Sequence, residues 1–172
     1  KAAGRVHWGQ FEPVLECLEA ARQDHDVAVD VYPYDASLTY LSAMLPDALT
    51  SDGKLVLRLR TSDGRAAAAA AVRKWFDQRQ GPENVVVHEP TLPGAPRGSS
   101  LAVVARALSI ADPIECALRL MEACPHGTGG WATYKHTMAP EQVEHVLDLP
   151  WASIASDAVP EEDGSGIGTS TH

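Results

Sequence analysis

The sequence places one aspartate where enzymes often present a reactive carboxylate. Asp157 ends WASIASD, a short apolar run from Trp151 that predicts a β-strand. A stretch rich in acidic residues and glycine follows, and the sequence ends at His172. Glycine gives such a segment the freedom to turn back over a pocket. A strand-end aspartate that caps the next turn has the same pattern, so these residues alone leave both interpretations open.

A second group of polar side chains lies in and just after the segment VAVDVYPY, which predicts a strand stopped by Pro33. Asp30 and Tyr32 are two residues apart, which puts both on one face of that strand. Beyond the turn, the hydroxyls of Ser37 and Thr39 can donate hydrogen bonds to an acyl or carboxylate oxygen, although such residues are also ordinary turn formers. We predict that Ser37 contacts a substrate, and that Tyr34, in the same turn, does so too.

Histidine and arginine add further candidates. His136 ends the predicted strand WATYKHTM, where a substrate-binding group or a solvated strand end would lie. Arg97 lies in the loop TLPGAPRGSS, and its guanidinium matches the geometry of a substrate carboxylate, while a solvated loop arginine is the alternative. Four other histidines are predicted to be surface residues: His7, His25, His126 and His145.

The composition limits the possible partners. The 172 residues are 45% hydrophobic, enough for the core of one domain. The formal charge of -9 argues against nucleic acid or an anionic membrane as the main partner. No apolar run approaches the roughly 18 residues of a membrane span. The three cysteines lack metal-site spacing and predict buried, reduced thiols, which favours a cytoplasmic location. The oligomeric state stays open.

Helix and strand patterns alternate along the chain, which predicts an α/β fold with a parallel sheet. The segment DASLTYLSAMLPDALTSDGK is rich in helix breakers and predicts a loop with a short helix. Ser99 or Ser100 can cap one helix, and Asp112 with Pro113 begins another. NVVVHEP adds a strand, and the predicted helices are GQFEPVLECLEAARQDHD, ending near Asp24, GRAAAAAAVRKWFDQRQG, LAVVARALSI, DPIECALRLMEAC and APEQVEHVLDLP.

The number of predicted strands is too small for a complete (β/α)8 barrel. Such a barrel typically needs about 250 residues and eight strands. The sequence offers three or four strands of the right kind, and it begins without methionine at KAAGRVHWG. We therefore expect part of a barrel from a longer protein.

The chain resembles the N-acyl-D-amino-acid deacylases, or D-aminoacylases, of the amidohydrolase superfamily. The resemblance runs in order through KAAGRVHWG, VDVYPYDASLTYLSAMLP, RGSSLAVVARA, DPIECALRLM, EQVEHVLDLPWASIASDAVP and GTSTH. It implies a partial TIM-like (β/α)8 barrel of the metal-dependent type with an inserted lid segment. Residues 1–45 would span the end of the fifth strand, a helix and the sixth strand. Residues 46–100 would form the lid-like insert and loops, and residues 101–172 would hold helices and the seventh and eighth strands.

The resemblance also implies a reaction. It is the zinc-dependent hydrolysis of a small N-acyl-D-amino acid to a D-amino acid and a carboxylate. Asp157 would bind the zinc, take a proton from the metal-bound water and pass it to the leaving amine. His172 would belong to a G-x-x-H segment that contributes to the pocket. Tyr32 occupies the position of a family histidine ligand, although a tyrosine hydroxyl ionises only near about pH 10 and is a poor zinc ligand.

The other ligands that the resemblance implies are not in this sequence. They are a first-strand H-x-H pair, a bridging ligand such as cysteine, and a histidine just before Lys1. One carboxylate cannot form a zinc site of three or four ligands, so the chain by itself is predicted to be inactive. Two alternatives stay open: a related cyclic-amidase or dihydroorotase-like hydrolase, and a non-catalytic barrel homologue without the full metal site.

Overall fold

The computed structural model describes residues 4–79 and 81–157. Their strands are β1 (Val29–Val31), β2 (Ser37–Tyr40), β3 (Val85–Val87), β4 (Ser99–Ser100), β5 (Trp131–Tyr134) and β6 (Ala152–Ile154). Their α-helices are α1 (Phe11–Arg22), α2 (Asp47–Thr50), α3 (Leu55–Leu59), α4 (Ser62–Arg79), α5 (Leu101–Ala107), α6 (Pro113–Ala123) and α7 (Pro140–Leu147). Short 3₁₀ helices cover Arg5–Gln10, Leu41–Met44 and Pro82–Asn84.

Local capping chemistry sets the starts of two helices, as predicted. The Ser100 hydroxyl accepts a hydrogen bond from the Val103 N–H at 3.4 Å and begins α5. Asp112 Oδ1 accepts from the Ile114 N–H at 2.9 Å, and Pro113 occupies the first position of α6. Each cap satisfies a backbone donor that has no partner inside the helix.

The chain divides into two compact units. One is formed by the described parts of Lys1–Ser37 and His136–His172, and the other is Leu38–Lys135. The first unit therefore combines two distant parts of the chain, and the second is continuous between them. The expected division at residues 45 and 100 into barrel and lid parts stays a prediction.

The first unit is built on a parallel pair of strands. β1 and β6 pair in the register Val29↔Ala152, Asp30↔Ser153 and Val31↔Ile154. The helices α1 and α7 precede these two strands in the chain. A small core joins them, with Phe11 and Leu15 of α1 packed against partly buried apolar residues: Val146, Leu149 and Trp151.

The second unit contains a four-stranded sheet in the order β2-β5-β3-β4. The strand β3 runs antiparallel to both β4 and β5. The helices α4 and α6 lie over a large core in which Leu59, Val72, Leu118 and Met121 are almost fully buried. This unit holds most of the buried apolar side chains of the described residues.

The sheet topology corrects two predictions. WATYKHTM does form a strand, but β5 pairs antiparallel with β3, with Val85 opposite Tyr134. It is therefore not a parallel strand of the sheet that holds β1 and β6, because those two strands form a separate two-stranded sheet. In addition, β2 lies in a segment predicted to be loop and short helix. The α/β class is confirmed in its mixed form, and the described residues do not show a TIM barrel.

The surface predictions are largely correct. His7, His25, His126 and His145 are all exposed. The three cysteines are free, but burial is confirmed only for Cys116, because Cys17 is exposed and Cys124 is partly buried. None of the described helices is both long and apolar enough to cross a membrane.

One arginine joins α4 to α6 through two glutamates. The Arg65 guanidinium donates to both carboxylate oxygens of Glu115, at 3.2 and 2.7 Å, and to Glu122 Oε2 at 2.8 Å. It also donates to the Leu59 carbonyl oxygen at 3.0 Å. The hydrogen bond from Arg65 lowers the pKa of the Glu115 carboxyl below its ordinary value, against a smaller opposing effect of burial.

We expect Arg65→Ala to lower the free energy of unfolding by about 1–2 kcal/mol at neutral pH, because bidentate pairing to two carboxylates is lost. Since the folded-state pKa of Glu115 is depressed, its contribution is present above the ordinary value of 4.5 and is lost as pH falls below it. The variant should therefore differ less from wild type in acid. Urea unfolding and amide exchange over α6 at neutral and acidic pH measure both effects.

Arg119→Ala is the matched control. Arg119 contacts Glu115 at 2.8 Å from the same helix, but its side chain is 53% exposed. An exposed pair of this kind contributes about 0.3–0.5 kcal/mol. An equal loss of unfolding free energy in the two variants, or a loss in Arg65→Ala that does not depend on pH, would contradict the expected contribution of the Arg65 hydrogen bonds to stability.

Candidate functional site

The candidate residues follow the ends of β1 and β6. Because these strands are parallel, their carboxyl ends lie at the same edge of the pair. The Ala155 N–H continues the pairing by donating to the Val31 carbonyl oxygen at 2.9 Å. The segment from Tyr32 and the segment that ends in Asp157 therefore leave the sheet at one edge.

Asp157 is exposed and lies three residues beyond β6. Its backbone has φ +49°, in the left-handed region that residues other than glycine adopt at a cost of about 1–2 kcal/mol. Within residues 4–79 and 81–157, no hydrogen bond or ion pair holds its carboxylate. The carboxylate is thus accessible to a ligand, as a general base must be.

A chain of hydroxyl groups follows β1. The Tyr32 hydroxyl lies 3.1 Å from Ser37 Oγ, which in turn lies 3.0 Å from Thr137 Oγ1. The rings of Tyr32 and Tyr34 are 5.7 Å apart between centroids. The hydroxyl of Tyr32 therefore has a partner within the fold, and Ser37 is linked to the segment that follows β5.

His136 is paired with a carboxylate that the sequence reasoning missed. Its Nδ1 lies 3.2 Å from Asp35 Oδ2, and both side chains are about half exposed. Thr137, the next residue, is 2% exposed and was also missed. Asp35 directly follows the YPY turn and Thr137 directly follows His136, so proximity to named candidates was the available signal.

The other predicted residues have less defined surroundings. Asp30 is exposed within β1, and Thr39 lies in β2. Arg97 is exposed and donates from Nε to the His88 carbonyl oxygen at 3.2 Å, as a solvated loop arginine would. His172 lies outside the described residues. Their predicted roles stay predictions.

Two cavities lie in the first unit. The larger, about 350 Å³, is lined mainly by apolar residues of α1 and β1 together with Leu149 and Trp151. Its lining includes Asp30 but none of the residues predicted to bind substrate or metal directly: Tyr32, Tyr34, Ser37, His136 and Asp157. The smaller, about 80 Å³, is lined by Asp30, Tyr32 and Tyr34 with four residues of 138–146 and Val31. The larger cavity therefore lacks most of the candidate polar groups. We place the candidate site by the positions of those groups rather than by cavity volume.

The potential metal ligands are the His, Cys, Asp and Glu side chains of the described residues. Among the described residues, no group of three or more His, Cys, Asp or Glu side chains could hold a metal ion. Asp157 and Tyr32 together would offer at most two ligands, whereas zinc sites in proteins use three or four. The residues that the structure describes do not fit a zinc site by themselves.

Comparison of the chain with known proteins shows a similar fold in a solved enzyme structure. No protein-family model and no curated protein matches this chain. The chain is similar to an N-acyl-D-glutamate deacylase from Bordetella bronchiseptica, solved with zinc and a phosphonate inhibitor that mimics the tetrahedral intermediate of the reaction. The TM-score is 0.55 at 19% identity, covering 91% of this chain and 24% of that one. The chain thus spans about a quarter of its neighbour's length, and the similarity shows a shared fold.

If this chain belongs to a longer protein that binds zinc, we expect Tyr32→Phe to leave the zinc content unchanged, because the hydroxyl lies 3.1 Å from Ser37 Oγ and has a partner within the fold. The loss of that hydrogen bond should cost about 0.5–1.5 kcal/mol of stability. Elemental analysis after dialysis, with Tyr34→Phe as the matched control, measures the first effect. A large drop in bound zinc confined to Tyr32→Phe would assign Tyr32 as a ligand.

Proposed function

We propose that this chain is part of a longer amidohydrolase that cleaves the amide bond of N-acyl-D-amino acids to a D-amino acid and a carboxylate. The observation that carries the proposal is the shared edge of β1 and β6, from which the segments bearing Asp157 and the Tyr32–Ser37 group emerge. Ligands of parallel α/β folds bind beyond the carboxyl ends of strands. The fold similarity to a deacylase supports the same class of reaction.

The proposed roles follow from the chemistry of each group. The carboxylate of Asp157 takes a proton from the water that attacks the acyl carbon, and it then gives that proton to the amine nitrogen as the C–N bond breaks. The hydroxyls of Tyr34 and Ser37 and the imidazole of His136 are proposed to hold the substrate, with His172 contributing from beyond the described residues. A small-molecule partner and a cytoplasmic location also stay predictions.

Zinc belongs to the proposal through the solved neighbour, which was determined with zinc bound. The described residues lack a sufficient ligand set for zinc. If Asp157 binds zinc in the full-length protein, the other ligands come from outside the described residues. Elemental analysis of Asp157→Asn measures that ligand role separately from catalysis.

The proposal is tested by assaying the full-length protein with paired substrates. Release of amino acid from N-acetyl-D-amino acids, with the N-acetyl-L enantiomers inert, is the expected result. Turnover of cyclic amides alone would favour the dihydroorotase-like alternative. Absence of turnover with both classes, in a folded protein that holds no stoichiometric zinc after dialysis, would favour the non-catalytic homologue without the full metal site.

A further inference from the structure

We propose that Asp35 is a positioning residue that fixes the His136 imidazole with Nδ1 protonated and Nε2 available to accept a hydrogen bond from the substrate. Asp35 Oδ2 lies 3.2 Å from His136 Nδ1. A carboxylate only accepts hydrogen bonds, so this contact requires a proton on Nδ1. In the neutral ring Nε2 is then an acceptor, and within the described residues it has no partner.

The backbone holds the two residues together independently of their side chains. The Asp35 carbonyl oxygen accepts three hydrogen bonds: from the Thr137 N–H at 2.7 Å, the Thr137 hydroxyl at 3.0 Å and the Met138 N–H at 3.0 Å. The Thr137 carbonyl oxygen accepts from the Gly4 N–H at 2.5 Å and from Trp8 Nε1 at 3.2 Å. Thr137 is thus a buried hub that fixes Asp35 beside His136.

The conformation of His136 points the same way. Its φ is +52°, a left-handed value that costs an L-residue about 1–2 kcal/mol. Such conformations persist where the surrounding structure imposes them, and they concentrate at functional sites. The exposed His136–Asp35 pair is itself worth little to stability. We infer that the arrangement serves the orientation of the ring rather than the fold.

The chemistry of an oriented Nε2 acceptor suits one part of the proposed substrate. The amide N–H of an N-acyl-D-amino acid, and the amine released from it, are hydrogen-bond donors. An acceptor fixed in place lowers the entropic cost of holding that donor in the reacting geometry. This assignment of the substrate group rests on the proposed function, whereas the Asp35–His136 pair itself does not.

The first experiment measures the tautomer without any substrate. Nitrogen-15 NMR of histidine-labelled full-length protein should show His136 with Nδ1 protonated in the wild type, and a shift toward the Nε2-protonated form in Asp35→Ala, which removes the acceptor. Asp26→Ala, which changes an exposed aspartate elsewhere in the first unit, should leave the spectrum unchanged. The same His136 tautomer in wild type and Asp35→Ala would overturn the proposal.

The second experiment asks whether Asp35 acts through His136. Partners that orient a histidine in metal sites are typically worth about 10–100-fold, and we expect Asp35→Ala to lower kcat/KM within that range. His136→Ala should cost at least as much, and the double variant should cost no more than His136→Ala alone. Additive losses would overturn the proposal. A wild-type protein without amidase activity would refute the proposed function, and the tautomer would then decide the role of Asp35 alone.

Discussion

Asp157→Asn is expected to lower kcat of the full-length protein by about 10²–10⁴-fold while leaving its fold intact, because an amide cannot take the proton of the attacking water. Release of the amino acid from N-acetyl-D-amino acids, followed under saturating substrate, measures the loss. The Michaelis constant should change much less, since the side chain keeps its size and its capacity to accept a hydrogen bond. Thermal unfolding confirms that the variant is folded.

The choice of asparagine matters because of the backbone at this position. Asp157 has φ +49°, and asparagine and aspartate are the non-glycine residues that best tolerate left-handed values. Alanine would add strain and confuse loss of the base with a displaced strand end. Asp148→Asn is the matched control, because Asp148 is an exposed aspartate that follows α7 in the same unit. Near-wild-type turnover by Asp157→Asn would remove Asp157 from the mechanism.

Local chemistry made several elements predictable. Ser100 and Asp112 are recognisable as caps from their residue type and their place before an apolar run, and both cap helices in the structure. The alanine-rich segment forms α4 because its intrinsic helix propensity is high. In each case the information lies within a few residues of the element that it specifies.

The pairing of strands was not predictable in the same way. The alternation in WATYKHTM indicates a strand but carries no information on its partner, and β5 pairs with β3, about 45 residues away in the sequence. The four residues of β2 lie between turn-forming residues, so the sequence did not indicate a strand there. Long-range packing decides such elements, because β propensity depends on the neighbouring strands.

The side-chain contacts at the candidate site could not be predicted from the sequence either. The sequence indicates Ser37 and His136 as separate candidates, Ser37 beyond the turn after one predicted strand and His136 at the end of another. Their partners Thr137 and Asp35 come from segments about 100 residues apart, so no spacing rule could join them. For Tyr32, the residue type already argues against a role as a zinc ligand. Its hydrogen-bond partner Ser37 is known only from the fold.

Gly130 is expected to tolerate replacement by alanine less well than Gly94 does. It precedes β5 with φ +82°, and its carbonyl oxygen accepts from the Leu41 N–H at 2.9 Å. A Cβ atom added there would lie 2.0 Å from the Glu89 carbonyl oxygen, a backbone atom that cannot rotate away. Gly130→Ala therefore combines left-handed strain with a steric clash inside the sheet, and we expect a loss of about 2–5 kcal/mol in the free energy of unfolding.

Gly94→Ala separates the two contributions. Gly94 has a similar φ of +80°, but a Cβ added there meets no atom within 4 Å. Only the conformational cost of about 1–2 kcal/mol should remain. Thermal unfolding of the full-length protein, together with amide exchange over Val85–Val87 and Trp131–Tyr134, should show faster exchange of both strands in Gly130→Ala than in Gly94→Ala, because the backbone of Glu89 must move away from β5. Equal destabilisation by the two substitutions would mean that Glu89 yields without cost and that the close approach of these two segments is not a constraint on the sheet.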